Sequence, residues 1–284
     1  MENKPVSSFN RNKRIRIFLI WCFLTFTPFR TLVAQKYFSG RNEFGIVAGV
    51  SNYYGDLSQG QNIKHFHPSV GIYQKYNLNN YFSFRNQLSA LTISGTTDGN
   101  KDYEYQNLNF KTDIYEFSSM LNFDFHKFGT NVNNGNKTPY FLIGLSVFRF
   151  DPKRLENEDI NLRTINSEMR PASYNQMQLA IPIGIGYKFR SAPRRHKGAW
   201  IFGVEAIWRK TYVDYIDDVN DVYPDYKAIS DKQGNGSAQY SQAQTLNGLS
   251  KLKSGTFRGD THLKDWYYFY GINLSYRFTP FICR

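Results

Sequence analysis

The sequence predicts an all-β chain, an eight-stranded antiparallel up-and-down transmembrane β-barrel of outer-membrane type. Three observations lead there. Segment after segment alternates apolar and polar residues with period two, as a sheet with two different faces requires. The connections are alternately short and long, as in barrels whose turns face one compartment and whose loops face another. An apolar N-terminal stretch of export type precedes the first segment. Composition agrees: the 284 residues are 41% hydrophobic and 17% aromatic, enough apolar surface to exclude disorder. The low mean hydropathy argues against a bundle of helical spans, each of which needs about 20 consecutive apolar residues.

Residues 1–34 read as a cleaved signal peptide. Lys13, Arg14 and Arg16 precede the short apolar stretch 17–26, and Ala34 is the small residue before a new N-terminus at Gln35. Residue 21, before Cys22, is Trp, too large for a lipoprotein site. Cleavage lowers the formal net charge from +12 to +7 and leaves Cys283 as the one thiol, so no intramolecular disulfide holds residues 35–284 together. The remaining positive charge is modest and spread over loops, which argues against nucleic acid as a partner.

The eight segments follow in order. Residues 42–53 carry Phe44, Ile46, Ala48 and Val50 on one face; 69–78 carry Val70, Ile72, Tyr76 and Leu78; 81–93 alternate least cleanly. Residues 112–125 present Tyr115, Phe117, Leu121, Phe123 and Phe125, and 139–150 present Phe141, Ile143, Leu145 and Val147. Residues 176–189 set Met177, Leu179, Ile181, Ile183 and Ile185 against Gln178, Ala180, Gly184 and Gly186. Residues 199–209 set Trp200, Phe202, Val204 and Trp208 against Gly203, Glu205 and Arg209, and 265–278 set Tyr268, Ile272, Leu274 and Tyr276 against Gly271, Asn273, Ser275 and Arg277. Each is long enough for a tilted strand of about 9–11 residues to cross a bilayer. The connections 54–68, 94–111, 151–175 and 210–264 are long, while 79–80, 126–137 and 190–198 are shorter, which puts both termini in the periplasm. A two-residue turn at Asn79-Asn80 would aim Arg85 at lipid, so a three-residue hairpin is expected over 78–80, with an Asn in the left-handed region and Tyr73 beside Arg85.

The less apolar face is rich in Gly, Gln, Ser and Asn with isolated charges, which suits a narrow lumen filled by side chains. A soluble barrel would reverse the faces. The charges assigned to the lumen are Glu43, Glu116, Asp124 and Glu205 against Lys75, Arg85, Lys188, Arg209 and Arg277, near balance and therefore a plugged interior. Strands one and eight close the barrel, which sets Glu43 beside Arg277.

Other candidate chemistry is thin. His65 and His67 form an H-x-H pair without an identifiable third metal ligand, and no Gly-x-Ser-x-Gly elbow occurs. Gly184 and Gly186 lie inside a strand, where they relieve crowding in the lumen rather than cradle a nucleotide. Arg258-Gly-Asp260 is a tripeptide that recurs by chance. Asp214, Asp217, Asp218, Asp221 and Asp225 crowd together, but the spacing is not that of an EF-hand; pairing with Arg209 and Lys210, or capping the turn after strand seven, is the expected role. No catalytic residue, cofactor or metal is expected.

The stretch Arg209-Lys-Thr-Tyr-Val-Asp-Tyr-Ile-Asp-Asp-Val-Asn-Asp-Val-Tyr-Pro-Asp225 resembles the signature of the PorG-type outer-membrane barrel family, through Arg209, Lys210, Asp214, Tyr215, Asp217, Asp218, Tyr223 and Asp225. Blocks at 51–57, 107–110, Thr138-Pro-Tyr140, 180–186, Arg258-Gly259 and Asp265-Trp-Tyr267 agree in order. Val213 and Ile216 stand where the family usually has Thr and Leu, and 234–244 are a Gly/Ser/Gln-rich insertion. The resemblance implies a non-enzymatic component of the type IX secretion system, resident in outer-membrane lipid and associated with a periplasmic ring of lipoprotein and partner subunits. The alternatives are a lipid-modifying barrel enzyme, a small-solute channel or a structural outer-membrane protein.

Overall fold

The computed structural model describes residues 42–55, 57, 65–97, 108–128, 135–155, 161–165, 175–191, 198–212, 215–219, 227, 231, 255 and 265–278. The export segment 1–34, Asp214, Asp221, Tyr223, Asp225, the insertion 234–244, the 258–260 tripeptide and Cys283 lie outside them. Eight strands, β1 (Asn42–Tyr54), β2 (His67–Asn77), β3 (Phe82–Thr96), β4 (Asn109–Asp124), β5 (Lys137–Lys153), β6 (Met177–Arg190), β7 (Ala199–Thr211) and β8 (Trp266–Arg277), close in sequence order into an antiparallel barrel. Closure pairs Glu43 with Arg277 at one end and Tyr54 with Trp266 at the other, and the Phe278 N–H donates to the Asn42 carbonyl at 3.0 Å. Every strand therefore has a hydrogen-bonded neighbour on both sides, and the sheet has no edge strand. One helical turn, α1 (Leu162–Ile165), follows β5.

Several strands outrun their expected ends. β3 continues to Thr96, β4 begins at Asn109 and β5 continues to Lys153, with Thr92 opposite Asp113 and Lys111 opposite Lys153. Above the apolar band the outward residues turn polar, so the alternation disappears from the sequence while the backbone goes on pairing.

The β2–β3 hairpin corrects one expectation. Its odd parity holds and Arg85 points inward, but Lys75, not Tyr73, pairs with Arg85, and Tyr73 pairs with Gln87. The turn residues are Asn79 to Tyr81, because the Leu78 N–H donates to the Phe82 carbonyl at 2.9 Å. No Asn takes a positive φ among the described residues; the Asn79 Oδ1 instead accepts the Tyr81 and Phe82 N–H groups, each at 2.8 Å. A side-chain carbonyl thus closes the turn in place of left-handed backbone. Tyr73 still meets Arg85 diagonally, with the guanidinium carbon 4.1 Å from the ring centre.

The outer face is apolar. Phe44, Ile46, Ile72, Leu88, Leu145, Leu179, Ile185, Val204 and Ile272 are all exposed there. Aromatic pairs ring the short-turn end (Phe44 with Phe278, Trp200 with Tyr276, Phe189 with Phe202) and flank the long-loop end (Tyr54 with Tyr268, Phe66 with Tyr270). The band has one polar interruption among the described residues, nearer the short-turn end, where Gln74, Asn86 and Ser119 lie side by side on β2, β3 and β4. The Ser119 hydroxyl donates to the Asn86 Oδ1 at 2.7 Å.

Candidate functional site

The inward parity of each strand carries short polar, charged and aromatic side chains, and these stack in tiers along the lumen. At the short-turn end Glu43 is the hub. Its Oε1 accepts from Lys75 Nζ at 2.9 Å and from the Ser275 hydroxyl at 2.7 Å, and its Oε2 accepts from Arg277 Nε at 3.2 Å and Nη2 at 3.1 Å. Beside it Lys188 Nζ lies 2.8 and 2.9 Å from the two oxygens of Asp124. Phe128 closes this end, with Lys188, Arg277 and Arg190 placed 4.5, 5.2 and 5.8 Å from its ring centre.

In the next tier the Arg85 fork meets Glu205 with two bonds of 2.8 and 2.9 Å. The Tyr140 hydroxyl and Asn273 Nδ2 donate to the same carboxylate at 2.6 and 3.0 Å. Two tyrosines reach this position because the strand opposite each offers a glycine. A Cβ on Gly45 would lie 2.5 Å from the Tyr73 Cζ, and one on Gly186 would lie 2.4 Å from the Tyr140 Cζ. An apolar layer of Val47, Met120, Leu142, Ile207 and Phe269 follows. Above it Arg209 Nε bonds both oxygens of Glu116, at 3.0 and 2.8 Å, and the Tyr267 hydroxyl donates to the same group.

The long-loop end is capped by residues 215–219, which fold back over the barrel mouth. Ile216 and Val219 join an apolar cluster with Tyr53, Ile93, Phe110, Ile114, Phe148 and Phe150. The cap is pinned by polar contacts. The Tyr53 hydroxyl lies 2.6 Å from Asp217 Oδ2 and 2.8 Å from Asp265 Oδ1. The Ile216 and Val219 N–H groups donate to Asp265 and Asp217, and the Thr112 hydroxyl donates to the Ile216 carbonyl at 2.8 Å. Asp218 turns the chain with a φ of 59°, a left-handed value that Asp tolerates.

Glu43, Lys75, Arg85, Glu116, Asp124, Lys188, Glu205, Arg209 and Arg277 are thus all buried inside the barrel. The structure differs from expectation at Arg209, which is engaged by Glu116, and at Lys210, whose ammonium sits 5.7 Å from the Trp266 ring centre on the outer side. Tyr215 packs against the apolar cap. His67 Nε2 and His65 Nδ1 converge on the Ser94 hydroxyl at 2.7 and 3.1 Å, so a serine stands between the two rings. No cluster of three or more metal-type ligands occurs among the described residues. Not assigned to the lumen network from sequence were Arg190, Tyr140, Asn273, Phe128 and Asp265, although Asn273 falls on the polar face of the last segment and Tyr140 and Asp265 lie in the family blocks. Arg190 shares the parity of Lys188 and was readable; Phe128 lies in a turn, where period two says nothing.

Residues 22–241 match the family model described as "Domain of unknown function (DUF6089)". The chain belongs to this family. No protein of curated function matches its sequence. Three solved outer-membrane proteins are similar to it in fold. Neisserial surface protein A is 10% identical with a TM-score of 0.40, the match covering 85% of this chain and 100% of that one. OprG from Pseudomonas aeruginosa is 10% identical with a TM-score of 0.37, covering 84% and 98%. Ail of Yersinia pestis, solved with the heparin analogue sucrose octasulfate, is 10% identical with a TM-score of 0.34, covering 82% and 97%.

Proposed function

We propose that this chain is a non-enzymatic protein of the outer membrane, exported through cleavage after residue 34, which is a component of the type IX secretion machinery and associates with its periplasmic ring. The carrying observation is a closed barrel with an apolar, aromatic-rimmed exterior and an interior filled by ion-paired and apolar tiers. Only a closed barrel or a helix satisfies its backbone inside hydrocarbon, and an apolar exterior around a polar core is stable there. In bacterial barrels of even strand count the short turns and both termini face the periplasm, and that rule supports the same orientation for this chain. The filled lumen argues against the channel reading, and its tiers of ion pairs and apolar side chains leave a lipid substrate no open cleft. Support for the secretion role comes from the Arg209 to Asp225 stretch, whose described parts end β7 at Thr211 and, over Tyr215 to Val219, build the external cap.

The test is affinity recovery of the mature barrel from detergent extracts of its native outer membrane. Co-recovery of the periplasmic ring subunits is the expected result. A barrel recovered without them, together with unchanged type IX secretion when the gene is deleted, overturns the role. Step conductance in planar bilayers would favour the channel, and altered lipid A on expression the enzyme.

A further inference from the structure

The lumen is not electrically balanced at its short-turn end. Its strands bury four acids, Glu43, Glu116, Asp124 and Glu205, against six bases, Lys75, Arg85, Lys188, Arg190, Arg209 and Arg277. Arg85 and Arg209 each hold a carboxylate of their own, one tier or more away from this end. The two acids at this end are already engaged, Glu43 by Lys75 and Arg277, and Asp124 by Lys188. Arg190, the last residue of β6, is 5% exposed and has no carboxylate partner among the described residues. Its Nε and Nη1 are buried without a hydrogen-bond partner, and so is Nη1 of Arg277.

The two guanidinium groups flank β7, where Ala199 pairs with Arg277 and Ile201 with Arg190, and both approach the Phe128 ring. A guanidinium does not lose its proton in a protein, so burial cannot be relieved by neutralisation. Two like charges with three unused donors in a low-dielectric rim call for an anion. A planar fork of N–H groups matches an oxyanion with two oxygens to offer.

We propose that Arg190 and Arg277 form an oxyanion site at the short-turn rim of the barrel, which takes a phosphate or carboxylate group. Phe128 is the floor of the site, and Lys188 adds long-range attraction while remaining bound to Asp124. That this rim faces the periplasm, and so receives its anion from there, rests on the function proposed above. Binding is read on isolated protein and ring association on membranes, so either can fail alone.

The mature barrel is refolded in dodecyl maltoside, which carries no phosphate, and titrated with sodium phosphate, sodium succinate or sodium chloride at matched ionic strength. The readouts are the thermal midpoint and, for phosphate, the ³¹P line width. Phosphate or succinate is expected to raise the midpoint where chloride does not, and the stronger of the two identifies a phosphate or a carboxylate as the natural occupant. Arg190→Gln is expected to weaken the apparent affinity at least tenfold. Arg190→Lys, which keeps the charge and loses the fork, should fall between, and it carries the test by line width if the Gln variant does not fold. Equal midpoints in all three salts mean that water alone meets these nitrogens and overturn the site. An undiminished response in both variants places the anion elsewhere and overturns it equally.

Discussion

Glu43 holds two cations at once, which makes it the most consequential single side chain in the lumen. Glu43→Gln leaves Lys75 and Arg277 buried against a neutral amide, and breaking a buried pair in this way costs about 3–5 kcal/mol. Lys75→Met should cost less, because Glu43 keeps Arg277. The double variant should cost at least about 1 kcal/mol less than the sum of the singles, read from urea unfolding in vesicles. Crowding makes the second residue-scale case. Tyr140 is tied to Glu205 and lies against Gly186, so a valine there forces the ring off its carboxylate. Gly186→Val is expected to destabilise by about 1–3 kcal/mol, as overpacking does. Gly135→Ala is the control: nothing comes nearer than 3.4 Å, and unfolding should shift by no more than about 0.5 kcal/mol.

Among the elements, the β2–β3 hairpin and the 215–219 cap depend on single side chains. The Asn79 carbonyl oxygen closes the hairpin by accepting two N–H groups. Asn79→Ala removes both bonds and should cost about 1 kcal/mol, with slower refolding into vesicles because this turn sets the register that brings Lys75 opposite Arg85. The cap hangs on the Tyr53 hydroxyl between Asp217 and Asp265. Tyr53→Phe should raise amide exchange at Ile216 and Val219 without changing exchange in β1 to β8. Uniform loss of protection across the strands would show that the cap and the barrel are one cooperative unit.

For the whole molecule, a closed barrel in lipid should migrate differently on gels before and after boiling and should resist carbonate extraction. Recovery in the soluble periplasmic fraction would refute the membrane assignment. Gln74, Asn86 and Ser119 then face hydrocarbon, where a polar side chain is unfavourable. Replacing the bonded pair with Asn86→Leu and Ser119→Ala should stabilise the barrel by about 1 kcal/mol in vesicles and have a smaller effect in micelles, which admit more water. Destabilisation in both would mean that this row is not in contact with lipid tails.

Much of the architecture is a local property and therefore legible in the chain. Period two assigns Phe44 and Glu43, or Trp208 and Arg209, to opposite faces whatever the rest of the molecule does, and eight such segments with alternating connection lengths specify an up-and-down barrel. The odd parity of the first hairpin follows from the same rule, since Arg85 has no stable place in an apolar exterior. Register does not follow, because a shift of two residues preserves every face; the Asn79 carboxamide, competing with backbone for the turn, decided it. Partner choice in the lumen was likewise beyond the sequence. Whether Arg209 meets Glu116 or the aspartates after β7 depends on the tilt and stagger that bring β4 across from β7, and these exist only once the sheet has closed. The cap belongs to the same class. Tyr53, Asp217 and Asp265 are separated by 164 and 212 residues along the chain, and no periodicity connects them; they meet because β1 and β8 are neighbours and the chain after β7 folds back over the mouth that those strands form.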